Sequence, residues 1–385
     1  MKRISLIAIM ALMGIGSVAA KSSTTLPIVG EVVKATNPLI QYVGRVSFAK
    51  NETASFNFPG TSIFARFQGS SLKMICRPMT GYFMAQVDGC EPFKVGFNAE
   101  RDSVVTVAAA LPKGEHQVKL MYVIEGLFRT PEFRGFVLDK GCSLVKSPDL
   151  PERKIEFIGN SITCGYGVES IEMTDPFEDE TENHWLTYAN IVSDSLNAQH
   201  TSISRSGIGV YRNYDGPKAG SDENMPWQYE YTLFNKHDEK WDFNKYQPQL
   251  VCINLGTNDL STNNYDIAHY EKNYRMFLTT VRSKYPNAKI VLITGPMLGE
   301  KESGEQREVL DRICSDANKK GFTLPDEVRK ARKGKNKGDK DIYRFDFTFQ
   351  TGDLGYGASW HPSKLQHQKM AGELLPFLRN LMGWE

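Results

Sequence analysis

Four short motifs in this 385-residue chain carry residue types that together could catalyse acyl transfer. They supply a serine nucleophile, Ser161, and a histidine base, His361, and two further motifs contribute Gly207 and Asn258. A serine hydroxyl is a poor nucleophile at its own pKa and therefore requires an adjacent base. The carbonyl oxygen under attack gains negative charge and requires fixed hydrogen-bond donors. The motifs are Gly159-Asn160-Ser161-Ile162-Thr163, Ser204-Arg205-Ser206-Gly207, Gly256-Thr257-Asn258-Asp259 and Trp360-His361-Pro362.

Each motif has an ordinary structural interpretation when it is taken alone. Gly207 could simply form a turn, Asn258 could cap a helix, and His361 could be a packed histidine. Three of the motifs directly follow predicted strands and His361 precedes a predicted helix, which favours a shared site. We therefore predict Ser161 as nucleophile and His361 as base. The predicted oxyanion hole consists of the Ser161 and Gly207 N–H groups and the Asn258 amide.

The part of the chain that holds these motifs alternates strand and helix patterns. Apolar strands that alternate with amphipathic helices are typical of a parallel sheet covered by helices on both faces. The carboxyl ends of such strands meet at one edge, where α/β proteins place their ligands. The predicted strands span 154–158, 200–204, 250–255, 289–294 and 342–347, and the predicted helices span 184–196, 266–285, 305–318 and 363–382.

The preceding region has a different pattern. Between residues 26 and 144, seven or more short alternating runs are separated by turn residues, which predicts an antiparallel β-sandwich or jelly roll. The Asp88-Gly89 pair between two such runs is a hairpin signal, because glycine readily adopts the positive φ of the turn. A polar, proline-containing stretch at 146–151 predicts a linker. We therefore predict a β-domain over 25–146 and an α/β domain over 152–385.

The first twenty residues predict export. A basic start is followed by a short apolar run and small residues at Val18 and Ala20, which is typical of a cleavable signal peptide. The run is too short to span a membrane comfortably. We therefore predict a secreted or periplasmic protein, with residues 1–20 removed and no membrane insertion. Without Lys2 and Arg3 the net charge of +1 becomes −1, so nothing in the charge favours nucleic acid as a partner.

The predicted chemistry requires no metal and no organic cofactor. No Cys-x-x-Cys or Cys/His spacing indicates a zinc site, and the pairing of the six cysteines stays open. An acidic run over 169–182 follows the first motif, and a charge run of this kind is typical of a solvated loop. Because the run follows Ser161, it could also border the cleft.

At these residues the chain resembles the SGNH (GDSL-type) hydrolases, from about Ile155 to the C-terminus. The upstream region strengthens the resemblance and narrows it to carbohydrate esterase family two. The resemblance implies a jelly roll before a flavodoxin-like domain with a five-stranded parallel sheet. It also implies removal of acetyl groups from an O-acetylated xylan or glucomannan. The upstream residues that carry it are Gly44-Arg45-Val46, Phe58-Pro59-Gly60-Thr61-Ser62, Val87-Asp88-Gly89 and Gly114-Glu115-His116, joined by Tyr211-Arg212-Asn213-Tyr214.

The chain departs from the family pattern at one point. Many SGNH enzymes have an aspartate two or three residues before the histidine, and here Ala358 and Ser359 occupy those positions. Either Ser161 and His361 work as a dyad, with a backbone carbonyl fixing the histidine tautomer, or another acid such as Asp353 completes a triad. Our hypothesis is the dyad.

Aromatic residues near the motifs could bind sugar rings, because flat side chains stack on them. The candidates are Trp360, beside the histidine, and Tyr211, Trp185 and Trp227. Trp185 fits equally well as a helix residue that faces the core. Asp259 is a further candidate for substrate binding, and its two open interpretations are that it shapes the site or merely caps a helix.

Two alternatives to a polysaccharide deacetylase stay open. One is a lipase- or thioesterase-like SGNH hydrolase, although no extended apolar run beside the motifs indicates an acyl channel. The other is a carbohydrate-binding homologue with weak catalysis, which the absent aspartate motivates. The oligomeric state is not predicted.

Overall fold

The structure is a computed structural model that describes residues 28–50, 52–101, 103–127, 129–262, 264–332 and 338–385. The predicted signal peptide, 1–20, and residues 25–27 of the predicted β-domain lie outside these ranges. No helix within the described ranges is long and apolar enough to cross a membrane.

The first part of the described chain folds into two antiparallel sheets. One sheet has the strand order β1-β10-β5-β8 with β3 beside β10, and the other has the order β11-β4-β9-β6-β7 with β2 beside β4. Aromatic side chains such as Phe56, Phe83 and Tyr122 pack edge to face in their shared core. This arrangement confirms the predicted antiparallel β-region. The strands are β1 (Glu31–Lys34), β2 (Gln41–Val43), β3 (Ala54–Ser55), β4 (Ser62–Gly69), β5 (Leu72–Cys76), β6 (Gly81–Val87), β7 (Phe93–Phe97), β8 (Ser103–Ala108), β9 (Gly114–Tyr122), β10 (Glu132–Leu138) and β11 (Leu144–Val145).

The second part is an α/β fold around a five-stranded parallel sheet, and this confirms the predicted fold class. Its strand order is β13-β12-β16-β17-β18, the order of flavodoxin-like sheets. A small hairpin, β14-β15, lies apart from this sheet. The elements are β12 (Arg153–Gly159), α1 (Ser161–Cys164), α2 (Tyr188–Ser195), β13 (Ala198–Ser204), α3 (Met225–Gln228), β14 (Tyr231–Leu233), β15 (Lys236–Lys240), β16 (Leu250–Asn254), α4 (Thr257–Leu260), α5 (Ile267–Lys284), β17 (Lys289–Thr294), α6 (Glu300–Lys320), α7 (Asp326–Ala331), β18 (Ile342–Asp346) and α8 (Lys364–Met382), with 3₁₀ turns at His184–Leu186, Phe243–Lys245 and Ala358–Trp360.

Helices cover both faces of the parallel sheet. On one face Ile158 packs in a core with residues of α5 and α6, and on the other Phe157 packs with residues of α2 and α8. Strands buried on both faces have near-continuous apolar sequences, which is why these strands could be predicted. The predicted helix over 184–196 is instead a 3₁₀ turn followed by α2. Thr187 separates the two elements, because it has extended backbone and its side chain accepts from the Asn190 N–H.

The register of three neighbouring strands, β13, β12 and β16, brings the predicted site segments to one edge of the sheet. Gly159 at the end of β12 pairs with Ser204 of β13 on one side and with Asn254 of β16 on the other. The segments that follow these three strands therefore leave the sheet at the same edge. Ser161, two residues beyond Gly159, lies at this edge together with the segments that carry Gly207 and Asn258.

The two parts of the molecule are in extensive contact. Val43 and Phe58 of the antiparallel region belong to the same buried core as α5 and α6. The Arg45 guanidinium lies in a cage of aromatic rings, and its Nη1 donates to the carbonyls of Tyr229 (2.6 Å) and Tyr231 (2.7 Å). Strands β11 and β12 lie on either side of the predicted linker, and the division into domains at 25–146 and 152–385 stays a prediction.

Candidate active site

Ser161 is the first residue of α1, directly after the turn that ends β12. The Asn160 side chain caps this short helix by accepting from the Ile162 N–H at 3.1 Å. The helix ends at Gly165, whose φ of 89° favours glycine. A β-carbon at Gly165 would also lie 2.7 Å from the Asn183 carbonyl oxygen. The local sequence therefore forms one tight helical turn with the serine at its start.

His361 is positioned to act as a base toward Ser161. The Ser161 hydroxyl lies 2.8 Å from His361 Nε2. The other ring nitrogen, Nδ1, lies 3.0 Å from the Ala358 carbonyl oxygen and 3.2 Å from that of Ser359. Carbonyl oxygens can only accept, so Nδ1 carries the proton and Nε2 accepts from the serine.

Burial keeps this imidazole neutral at ordinary pH. Desolvation lowers the pKa of His361 to about 4, although the two carbonyls that accept from Nδ1 partly oppose the shift. A general base must be unprotonated to work. The ring also stacks on Tyr166, with the ring centroids 4.1 Å apart, which restricts its orientation.

The loop that carries the histidine has an unusual backbone. Ser359 and Trp360 have φ values of 50° and 59°, in a region that non-glycine residues seldom adopt. The Ala358 N–H donates to the Gly167 carbonyl (3.0 Å), and the Gln350 side chain donates to the Trp360 carbonyl (2.8 Å). These contacts hold the loop so that its carbonyls face His361 Nδ1.

Asp353, the alternative acid, lies elsewhere in this loop. Its side chain is exposed and accepts from the Thr351 hydroxyl at 2.9 Å. The contacts of His361 Nδ1 are with backbone carbonyls, as the dyad hypothesis requires. The geometry therefore favours the dyad over a triad through Asp353.

The predicted oxyanion donors come from three different elements. Gly207 has a φ of 75° and open space where a β-carbon would lie. Among the described residues, no hydrogen-bond acceptor is paired with its N–H. Asn258 is buried and donates one amide hydrogen to the Ile208 carbonyl (2.8 Å), which leaves the second amide hydrogen for a ligand. The Ser161 N–H lies in the first turn of α1, where helices lack internal acceptors.

Asp259 holds the backbone after Gly207. Its buried carboxylate accepts from the N–H groups of Val210 (3.0 Å), Tyr211 (2.8 Å) and Arg212 (3.1 Å). Burial raises the pKa of Asp259 to about 6, while these N–H groups oppose the rise. Asp259 therefore shapes the loop, and because it is fully buried the structure does not support it as a substrate contact.

The four aromatic candidates differ in exposure. Trp360 is 51% exposed and lines a cleft of about 460 Å³ together with Tyr356 and Phe349. Ser161, Gly207, Asn258 and His361 are not among the residues that line this cleft. Tyr211 is 1% exposed and its hydroxyl accepts from the Asp266 N–H, so the structure does not support it as a substrate contact.

Trp185 and Trp227 are half-buried and have partners within the protein. Trp185 packs against the antiparallel core, with the Lys119 ammonium 4.5 Å from its ring centroid. Trp227 packs on His237 and Tyr231. Trp360 therefore remains the best candidate among the four.

Sequence reasoning missed two buried acids next to the site. Glu125, just after β9, accepts from the Ser206 N–H at 2.6 Å, and Glu182 accepts from the Glu125 N–H at 2.8 Å. Burial raises the pKa of both carboxyls, and the proximity of Glu125 raises that of Glu182 further. Glu182 belongs to the acidic run that we predicted as solvated. That run also borders the histidine loop, because the Trp360 N–H donates to the Met173 carbonyl.

Glu125, Glu182 and Cys164 have potential ligand atoms within 4.8 Å of one another, the spacing of a metal site. Burial and the two nearby carboxyls raise the pKa of the Cys164 thiol well above its usual range, so it is neutral in this environment. The prediction that no metal is required stays a prediction.

Comparison with known proteins places both parts of the chain in described families. Residues 42–148 match the family Carbohydrate esterase 2 N-terminal, and residues 155–374 match the family GDSL-like Lipase/Acylhydrolase. Over 90% of its length the chain is 34% identical to the cellulase/esterase CelE of Acetivibrio thermocellus, and it spans 40% of that longer protein. It is also 27% identical to an acetylxylan esterase / glucomannan deacetylase of Cellvibrio japonicus, over 91% of each chain.

A solved structure has the same architecture. It is a family two carbohydrate esterase from Clostridium thermocellum in complex with cellohexaose. The TM-score is 0.79 at 34% identity, and the match covers 90% of this chain and 100% of the other.

Proposed function

The chain belongs to carbohydrate esterase family two within the GDSL-like lipase/acylhydrolases, and on that premise we propose that it removes O-acetyl groups from xylan or glucomannan. Family membership confirms the predicted enzyme class, a serine esterase. The observation that carries the proposal is the 2.8 Å contact between Ser161 Oγ and a His361 ring whose tautomer is fixed by backbone carbonyls.

In the proposed reaction, Ser161 Oγ attacks the acetyl carbonyl while His361 Nε2 takes the hydroxyl proton. The Ser161 and Gly207 N–H groups and the Asn258 amide stabilise the resulting oxyanion. His361 then returns its proton to the departing sugar hydroxyl, which leaves acetyl-Ser161. A water that loses its proton to His361 attacks this ester and releases acetate, and the proton returns to Ser161.

A carbohydrate substrate is favoured by the exposed ring of Trp360 beside the catalytic histidine. A flat and exposed indole face suits a sugar ring, and Trp360 directly precedes His361 in the chain. One relative is named for acetylxylan and glucomannan, and one structural neighbour holds cellohexaose. We carry both substrates over to this chain as proposals, together with secretion or a periplasmic location.

Release of acetate from acetylated xylan and acetylated glucomannan tests this function. We expect acetate from at least one of them, and faster cleavage of 4-nitrophenyl acetate than of 4-nitrophenyl octanoate. Faster octanoate cleavage would instead support the lipase-like alternative. Binding to glucomannan without cleavage of any ester would support the carbohydrate-binding alternative.

A further inference from the structure

The buried carboxyl of Glu125 connects the antiparallel region to the catalytic edge of the parallel sheet. We propose that Glu125 is a positioning residue that aims the Gly207 N–H into the oxyanion hole. The antiparallel sheets would then be part of the catalytic machinery rather than an appended module. This inference rests on the proposed function, because it requires that Gly207 serve as an oxyanion donor.

Glu125 lies on a rigid support. It follows strand β9 by three residues, and its neighbours on both sides are hydrogen bonded. The His184 N–H donates to the Val123 carbonyl (2.9 Å), and the Gly126 N–H donates to the Asn57 carbonyl (2.9 Å). The Glu125 N–H itself donates to Glu182. The carboxyl group is therefore presented from a fixed backbone.

The main contact of this carboxyl is with the residue before Gly207. Glu125 Oε2 accepts from the Ser206 N–H at 2.6 Å. On the other side, the Gly207 carbonyl accepts from the Tyr214 N–H at 2.8 Å. The peptide group that carries the Gly207 N–H is thus held at both flanks. Because oxyanion donors act through preorganised geometry, a small rotation of this peptide weakens their effect.

The same carboxyl oxygen also contacts the nucleophile helix. The Cys164 thiol donates to Glu125 Oε2 at 3.7 Å, and Cys164 is the last residue of the helix that begins with Ser161. One side chain from the antiparallel region therefore touches both segments whose N–H groups form the predicted oxyanion hole. Its position sets the distance between those segments.

Glu132 offers a matched control in the same region. It is 3% exposed, and its carboxylate pairs with Lys50 (2.5 Å), Arg77 (3.4 Å) and Arg134 (3.5 Å), all within the antiparallel region. Glu132→Gln therefore removes a buried carboxylate without a contact at the catalytic edge. We expect a lower melting temperature for this variant and an unchanged kcat.

The experiment compares Glu125→Ala, Glu125→Gln and Glu132→Gln with the wild type on 4-nitrophenyl acetate. We expect Glu125→Ala to lower kcat by roughly 10- to 100-fold, less than complete loss of an oxyanion donor, and to leave KM nearly unchanged. Glu125→Gln keeps an acceptor for the Ser206 N–H, so it should recover most of that loss. A merely structural role would not produce this split between kcat and KM or this rescue.

If Glu125→Ala does not fold, Glu125→Asp tests whether Glu125 positions the Gly207 N–H. The shorter side chain keeps the carboxyl group but withdraws the acceptor by about 1 Å, which should lower kcat by roughly tenfold or more. A kcat for Glu125→Ala and Glu125→Asp equal to that of Glu132→Gln, with an active wild type, would overturn this inference alone. A wild type that cleaves no acetyl ester would overturn the proposed function and this inference with it.

Discussion

The two sides of the active site are built in different ways. The proton-transfer side consists of Ser161 and His361, which come from two segments of the α/β fold and already lie 2.8 Å apart. The proposed oxyanion side consists of the segments that carry Ser161, Gly207 and Asn258, and Asp259 and Glu125 accept from backbone N–H groups next to Gly207. The first side is a pair in direct contact, whereas the second is a set of groups held by other residues.

This difference has a functional consequence. Removing one member of a contacting pair abolishes its function, because nucleophile and base act as a unit. Removing one member of a supported set leaves the other donors in place, so kcat should fall only partly. The following predictions, ordered by size, test this distinction.

The largest effect is expected from Ser161→Ala, which removes the nucleophile. We expect kcat on 4-nitrophenyl acetate to fall by roughly 10⁵-fold or more, because the remaining donors cannot replace covalent catalysis. The melting temperature measured alongside should stay close to that of the wild type. Residual activity above one-thousandth of the wild-type rate would mean that another residue attacks the ester.

Asn258→Ala should have the next largest effect. It removes the side-chain donor of the oxyanion hole and leaves Ser161 and His361 in contact, so kcat should fall by about 100- to 1000-fold. Steady-state kinetics on the same ester measures this. A fall in kcat as large as that of Ser161→Ala would contradict the expectation that loss of one oxyanion donor lowers kcat only partly.

The pH dependence tests the state of the base. Burial lowers the pKa of His361 to about 4, so the ring is neutral and able to accept a proton above that pH. We expect kcat/KM to be flat from about pH 8 to pH 5 and to fall roughly tenfold for each pH unit below about 4. Burial also lowers the pKa of His184 to about 4, so the unfolded state binds a proton at a higher pH than the folded state does, and acid destabilises the fold. Circular dichroism must therefore establish that the protein is still folded at each pH. A midpoint near 6.5 in folded protein would contradict a desolvated base.

The smallest effect is expected from Asp353→Asn. Its exposed carboxylate pairs with Thr351, and backbone carbonyls orient His361, so kcat/KM should change by less than about twofold. Loss of turnover in a folded variant would show that the loop rearranges to form a triad in solution.

The proton-transfer side could be predicted from the sequence because its signals are local. Ser161 follows an apolar strand and a Gly-Asn turn, and His361 precedes an amphipathic helix. The fold class was predictable for the same reason, since strands buried on both faces have continuous apolar sequences. The carbonyls that fix the histidine tautomer depend on the unusual φ values of Ser359 and Trp360, and no residue type there predicts those values.

The supports of the oxyanion side were not predictable. Glu125 reaches Ser206 across 81 residues of chain, and that contact depends on how the antiparallel sheets pack against the parallel sheet. Glu182 lies in an acidic run that is typical of a solvated loop, yet it is fully buried. Tyr211 is buried in the apolar core and its hydroxyl accepts from the Asp266 N–H, and an aromatic residue after a motif does not indicate this.

The most direct test of the account is to locate the reactive serine with an aryl phosphonate, which forms a stable adduct only at an activated nucleophile. Peptide mass mapping should place the adduct on Ser161, and His361→Ala should slow its formation by several orders of magnitude. An adduct on another residue, or labelling of the His361→Ala variant at the wild-type rate, would contradict the Ser161–His361 pair as the catalytic centre.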